Sequence, residues 1–234
     1  MYRVFVERVR RYGDAMSILG DLAEAKRMLV ALARHHSLAN ADAAGDEDRY
    51  VTLSALLSQA VILYARAAKS KANHRTFVPL QRNLPPELRA VHDNVVQLRD
   101  DAIAHFGPGD GPGGRHWAQE TVVLRIDGTV ATLALPFSHS VYQEDLAKQL
   151  EVLVDHCITA MWGICGERAD LLLQECTRLL HTQPHFQAQL SEAEFDLAEF
   201  FHHDKASIER FVSGRSSAGT LPAPTYAPVK YPTS

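Results

Sequence analysis

The sequence predicts a mainly α-helical protein, a helical bundle with one inserted β-hairpin, on two observations. Apolar residues recur at three- and four-residue steps through most of the chain, the period of a helix with one buried face. One region only, about 119–136, alternates around a Gly-containing turn as a hairpin does.

The elements follow in order. Ile18, Leu22, Ala25, Leu29 and Leu32 mark a first helix over about 14–36, with Asp14 as its N-cap. Residues 37–48, rich in Ala, Asp, Asn and Gly, read as a loop. Leu53, Leu56, Leu57, Ala60, Val61 and Tyr64 make a wide apolar stripe on a second helix, about 47–70, expected at the centre of the core. Pro85-Pro86-Glu87 suits the first turn of a third helix, which carries Leu88, Val91, Val95, Leu98, Ala102 and Phe106 inward. It stops at Gly107-Pro108-Gly109, the start of a stretch with five glycines in eight residues.

Residues 121–126 and 129–135 flank Asp127-Gly128, read as a two-residue hairpin turn. An isolated hairpin is marginal in water, so this one is expected to pack on the helices. Leu146, Leu150, Leu153, Cys157, Met161, Ile164 and Leu172 mark a long fourth helix over about 142–181, with Gly163 and Gly166 as possible kinks. A shorter helical region is expected over 191–212. These elements form one helical domain, 1–212, followed by a disordered Pro/Ser/Thr-rich tail, 213–234.

With 234 residues, 46% of them hydrophobic, the chain can bury a full core. No apolar run is expected to cross a bilayer, and charges interrupt the apolar residues at the N-terminus, so the protein is read as cytoplasmic with no membrane partner. Cys157, Cys165 and Cys176 fall on one helix at separations of eight and eleven, which offers neither a disulfide framework nor a CxxC motif. They are expected to be core thiols. Charge is unevenly divided: residues 1–99 hold 15 Lys/Arg against 10 Asp/Glu, and residues 100–234 hold 9 against 18. A polyanion is therefore better tolerated by the first part of the chain.

That basic part leads into Leu98-Arg99-Asp100-Asp101-Ala102-Ile103-Ala104-His105-Phe106, which sets a permanent cation six residues before a titratable imidazole. Chance alone supplies roughly three Arg-to-His pairs at such separations in a chain of this composition, so context decides. The other pair, Arg178 and His185, has Pro184 just before the His, which bends the chain out of a helix. Arg99 and His105 are expected on one uninterrupted helix. Six residues leave their side chains about 120° apart and about 9 Å apart along the axis, so either the long Arg99 side chain partly closes the gap or a partner subunit completes the site across an interface.

Arg99 stays charged and can hold two phosphate oxygens at once. His105, in the last turn of its helix, titrates near neutrality and suits proton transfer. Together they suffice for RNA cleavage through the ribose 2′-hydroxyl without a metal or cofactor, with Asp100 orienting Arg99.

Three helices, with Tyr64-Ala65-Arg66 late in the second and Arg99, Asp100 and His105 closing the third, resemble the HEPN (higher eukaryotes and prokaryotes nucleotide-binding) superfamily. The likeness spans about residues 14–180 and is strongest to the abortive-infection and toxin–antitoxin branches. Gly107 stands where some toxin members carry a Tyr. The resemblance implies an up-and-down helical bundle, a homodimer with two Arg/His motifs in one cleft, metal-independent ribonuclease activity, and an antitoxin or defence-system protein partner. The alternative is a non-catalytic helical module of the same fold that binds a protein or nucleic acid.

The remaining candidates have simpler readings. His92, seven residues before Arg99 and on nearly the same face, either joins that site or, as is expected first, is a surface or capping residue. His35-His36 closes the first helix, and Trp117 and Trp162 are packing residues. Adjacent residues on a helix point 100° apart, so His202-His203-Asp204 is a poor metal site. The chain contains no phosphate-binding glycine loop leading into a helix.

Overall fold

A computed structural model describes residues 2–38, 47–69, 75–76, 78–100, 110–111, 115–116, 118–120, 123–127, 130–134, 137–139, 143–192, 197–200, 202–206 and 208–209. The chain is mainly helical: α1 (Arg3–Leu38), α2 (Glu47–Ala68), α3 (Pro86–Leu98), α4 (Glu144–Thr182), α5 (Phe186–Glu192) and α6 (Leu197–Phe200). Six short strands, β1 (Asp110–Gly111), β2 (Arg115–His116), β3 (Ala118–Glu120), β4 (Val123–Asp127), β5 (Val130–Ala134) and β6 (Phe137–His139), fall between α3 and α4. The chain divides into two compact units, residues 10–165, and residues 1–9 with 166–234.

In the larger unit the predicted stripes become the core of a helical bundle. α1 buries Ile18, Leu22, Ala25, Leu29 and Leu32; α2 buries Leu53, Leu57, Ala60, Val61 and Tyr64; α3 buries Leu88, Val95 and Leu98. α4 adds Leu146, Leu150, Leu153, Cys157, Met161 and Cys165. Each large apolar side chain removed from water stabilises the fold by about 1.5–3 kcal/mol. Lys26 Nζ donates to Glu151 Oε1 at 2.8 Å and to Asp155 Oδ2 at 2.7 Å, fastening α1 to α4.

The span 48–68 of α2 is long and apolar enough to cross a membrane, which corrects the expectation that no run is. Its apolar face lies in the bundle core, and Arg66 in its last turn pairs with α1, so packing accounts for its composition. α3 begins as predicted, with Pro85 as N-cap and Pro86 in the first turn. Its regular geometry ends at Leu98, and Arg99 and Asp100 continue as a π-helical turn. Arg99 itself keeps α-helical φ and ψ of −60° and −44°. Residues 101–109, including His105, lie outside the described residues.

α1 starts eleven residues earlier than expected, and Asp14 is not its N-cap. Asp14 Oδ2 instead accepts the Thr76 backbone N–H at 2.8 Å and the Thr76 hydroxyl at 2.6 Å. A local cap and a long-range tie use the same carboxylate chemistry, and here the tertiary contact takes it.

The hairpin region is more divided than the predicted single hairpin. β1 pairs with β2, β3 with β6 and β4 with β5, all antiparallel. The β4–β5 register pairs Asp127 with Val130, so the two connecting residues are Gly128-Thr129 rather than Asp127-Gly128. Leu124, Ile126 and Leu133, which share one face, are 58%, 69% and 71% exposed. The expected packing of this face on the helices is not found.

In the smaller unit, Phe186 is buried with Tyr2 and Phe5 edge-on to its ring at centroid distances of 5.0 and 5.2 Å. These contacts explain the early start of α1: tertiary packing holds a segment whose own pattern is weak. Arg8 donates to the Leu171 carbonyl, and Arg178 grips the buried Glu175 carboxylate through Nε and Nη2. Within the helical region expected over 191–212, α6 ends at Phe200, His202 and His203 take left-handed φ values of 48° and 59°, and residues 205–206 and 208–209 are again helical. The N–H groups of His202 and His203 return to Glu199 and Ala198 carbonyls, which closes the helix end as a Schellman motif.

Candidate functional site

Arg99 follows directly on α3, where its backbone N–H still bonds to the Val95 and Val96 carbonyls. Its side chain is 41% exposed, and its Nη1 donates to Asp100 Oδ1 at 3.0 Å. Asp100 also accepts from Lys69 Nζ, in the turn that extends α2. The Lys69 hydrogen bond, helped by Arg99, holds the Asp100 carboxyl below the ordinary carboxylate range. Asp100 is thus ionised near neutrality and held between two cations. An exposed ion pair of this kind contributes little stability on its own.

A second carboxylate of the same type lies on α1. Asp21 is 4% exposed and accepts Arg66 Nε at 2.9 Å, Arg66 Nη2, and Arg75 Nη1 at 2.7 Å. Arg66 and Lys69 are three residues apart on one helical path, so they are neighbours on the same face. The four cations Arg66, Lys69, Arg75 and Arg99 accordingly share two carboxylates, Asp21 and Asp100. Sequence reasoning missed this cluster, although one signal was present: Asp21 sits within the inward stripe of Ile18, Leu22 and Ala25, where a carboxylate requires a partner.

His92 corrects a further expectation. It is neither a cap nor a surface residue: it is 5% exposed, with Nδ1 2.7 Å from the Tyr64 hydroxyl and Nε2 3.0 Å from Gln81 Oε1. The amide oxygen of Gln81 can only accept, so Nε2 carries the proton and Tyr64 donates to Nδ1. The Cys157 thiol lies beside Tyr64. Burial lowers the His92 pKa, raises that of Tyr64, and pushes the Cys157 thiol up to about 11. These groups are neutral at physiological pH, and Tyr64, His92 and Gln81 join α2, α3 and the 3-10 turn Leu80–Asn83 through a buried hydrogen-bonded chain.

Cys157 and Cys165 are buried thiols as expected, and Cys176 is partly exposed. His35 and His36 fall in the last turn of α1. Among the described residues no group of three His, Cys, Asp or Glu side chains is placed to hold a metal ion. An open cleft of about 550 Å³ is lined by Asp170, Leu173, Gln174, Thr177 and Arg178, and none of the predicted site residues lines it. Trp117 and His105 lie outside the described residues. Compared with protein families, curated sequences and solved structures, the chain matches none.

Proposed function

We propose that this protein is a metal-independent endoribonuclease of HEPN type, a homodimer acting in defence or as a toxin–antitoxin component, with Arg99 and His105 as its catalytic residues. The observation that carries the reading is the state of Arg99. It stands half-exposed at the end of a core helix, with its guanidinium held by an ionised Asp100 that Lys69 holds in turn. A planar fork held in this way matches two oxygens of a phosphate.

In the reaction, His105 takes the proton of a ribose 2′-hydroxyl as the 2′-oxygen attacks phosphorus. The 5′-oxygen leaves and takes a proton from water, giving a 2′,3′-cyclic phosphate and a 5′-hydroxyl, and His105 returns its proton to solvent. Arg99 stabilises the charge that develops on the non-bridging oxygens. The second protomer supplies the opposing Arg/His pair across the cleft. The test is degradation of RNA by purified protein in EDTA. Activity lost in His105→Ala supports the reading, and activity unchanged in that variant refutes it.

A non-catalytic interaction module is the second reading, and the exposed Leu124, Ile126 and Leu133 on one hairpin face favour it. Under that reading the wild type leaves RNA intact in EDTA.

A further inference from the structure

The last turns of α4 belong to the smaller unit, where Glu175 and Leu179 are buried and Leu172 and Cys176 partly so. The opposite face is exposed. Asp170, Gln174, Thr177 and His181 recur along it at steps of four, three and four, the a and d positions of a heptad. Leu171, Leu173, Arg178 and Leu180 flank them at the e and g positions, and the three leucines are 48%, 63% and 46% exposed. The open cleft of about 550 Å³ lies on this face, against Asp170, Leu173, Gln174, Thr177 and Arg178. Among the described residues the side chains of Asp170, Gln174 and Thr177 have no hydrogen-bond or ion-pair partner. Arg178 is held through Nε and Nη2 by Glu175, and His181 Nδ1 donates to the Thr177 carbonyl at 2.7 Å. These bonds within the helix limit the side-chain freedom that a contact must freeze.

We propose that two copies of the chain meet on this face, as an antiparallel pair of α4 helices about a two-fold axis between residues 175 and 176. The charge pattern selects the occupant: an acid at one end of a face and bases at the other match a second copy of that face, run in reverse. In this register Gln174 of each copy opposes Thr177 of the other, amide against hydroxyl. Asp170 enters the hole formed by Gln174, Thr177, Arg178 and His181 of the other copy, four side chains that carry donors. Leu173 of one copy flanks Leu180 of the other. A parallel pair would instead set Asp170 against Asp170 and Arg178 against Arg178. The contact is about 16 Å long, small for an interface, so the dimer is weak, with a dissociation constant of about 10–100 µM. It concerns the homodimer of the proposed function and not its chemistry, and it rests on α4 alone.

The experiment is sedimentation equilibrium of the full chain from about 1 to about 300 µM, which brackets that constant. The wild type passes from monomer to dimer across the range. Asp170→Lys sets a cation against Arg178 of the other copy and weakens the dimer by about tenfold or more, as does Leu173→Glu, which places a charge in the apolar flank. The double variant Gln174→Leu/Thr177→Leu turns the polar layer into an apolar one and tightens the dimer by about tenfold. These side chains are exposed, so the substitutions spare the fold, and thermal melts check that they do. A wild type that stays monomeric throughout overturns the proposal and leaves the face to another occupant, the chain's own C-terminal residues or a different protein. A dimer that Asp170→Lys leaves unchanged overturns it equally. RNA cleavage in EDTA is read separately: cleavage by a protein whose association ignores Asp170→Lys removes this surface and keeps the ribonuclease. A dimer weakened by Asp170→Lys that leaves RNA intact does the reverse.

Discussion

The Tyr64 hydroxyl donates to Nδ1 of His92 across 2.7 Å, inside a core where both side chains are buried. This bond makes the imidazole an acceptor at Nδ1 and a donor at Nε2, and it requires His92 to be neutral. Protonation at Nδ1 would set two donors against each other, so the Tyr64 hydrogen would have to turn away.

A pH dependence of stability follows. Burial holds the His92 pKa below its ordinary value of about 6.5. Between the folded and unfolded pKa values the unfolded chain binds more protons, so stability rises with pH in that window. The His92 contribution is complete above about pH 6.5 and is lost as pH falls through the folded pKa. Thermal melts from neutrality downward show this loss, and His92→Asn, which retains an acceptor towards Tyr64, flattens it. Asp100, with its pKa lowered, contributes in a separate window below about pH 4.

Asp14 and Thr76 are coupled across the bundle. Asp14→Ala and Thr76→Val each remove hydrogen bonds that the pair shares, so a double-mutant cycle in urea gives a coupling energy of about 0.5–3 kcal/mol. A helix cap at Asp14 would give additive effects.

Gly13, Gly163 and Gly166 lie inside α1 and α4, and a Cβ at any of them meets no atom within 4 Å. Each Gly→Ala substitution is therefore expected to stabilise the protein by about 0.5–1 kcal/mol, by limiting the unfolded chain. Equilibrium unfolding reads the gain. Loss of stability at Gly163 or Gly166 would mean that α4 needs its glycines for a bend.

Arg99→Lys separates charge from shape. A point charge replaces the planar fork, so binding of single strands is retained while turnover falls by tenfold or more, by analogy with other bidentate sites at about 1.4 kcal/mol per decade. Since Arg99 is half-exposed, Arg99→Ala shifts unfolding by only about 0.5 kcal/mol. A variant that unfolds instead would make Arg99 a structural residue.

Helical periodicity made the bundle legible. Most of each stripe on α1, α2, α3 and α4 is buried, with Leu56, Val91, Ile164 and Leu172 only partly so, and α2 and α4 begin and end within a few residues of where the pattern places them. What the pattern could not carry was long-range pairing. Asp14 looks like a cap because caps and distant ties draw on the same residue types. His92 looks like a surface residue because its partners, Tyr64 and Gln81, are 28 and 11 residues away. The first turns of α1 depend on Phe186, and the hairpin register depends on which of two adjacent pairs, Asp127-Gly128 or Gly128-Thr129, makes the turn. Of the candidate site, Arg99 and Asp100 were legible from their place before the glycine stretch, whereas Lys69 and Arg75 join the cluster only through the fold.

The central claim is that RNA is cut through its own 2′-hydroxyl. The most direct measurement presents one sequence to the protein in EDTA, once as RNA and once with every 2′-hydroxyl replaced by hydrogen. The account predicts that the RNA is cleaved to a 2′,3′-cyclic phosphate, that the deoxy strand binds and stays intact, and that His105→Ala cleaves neither. Cleavage of the deoxy strand would contradict it.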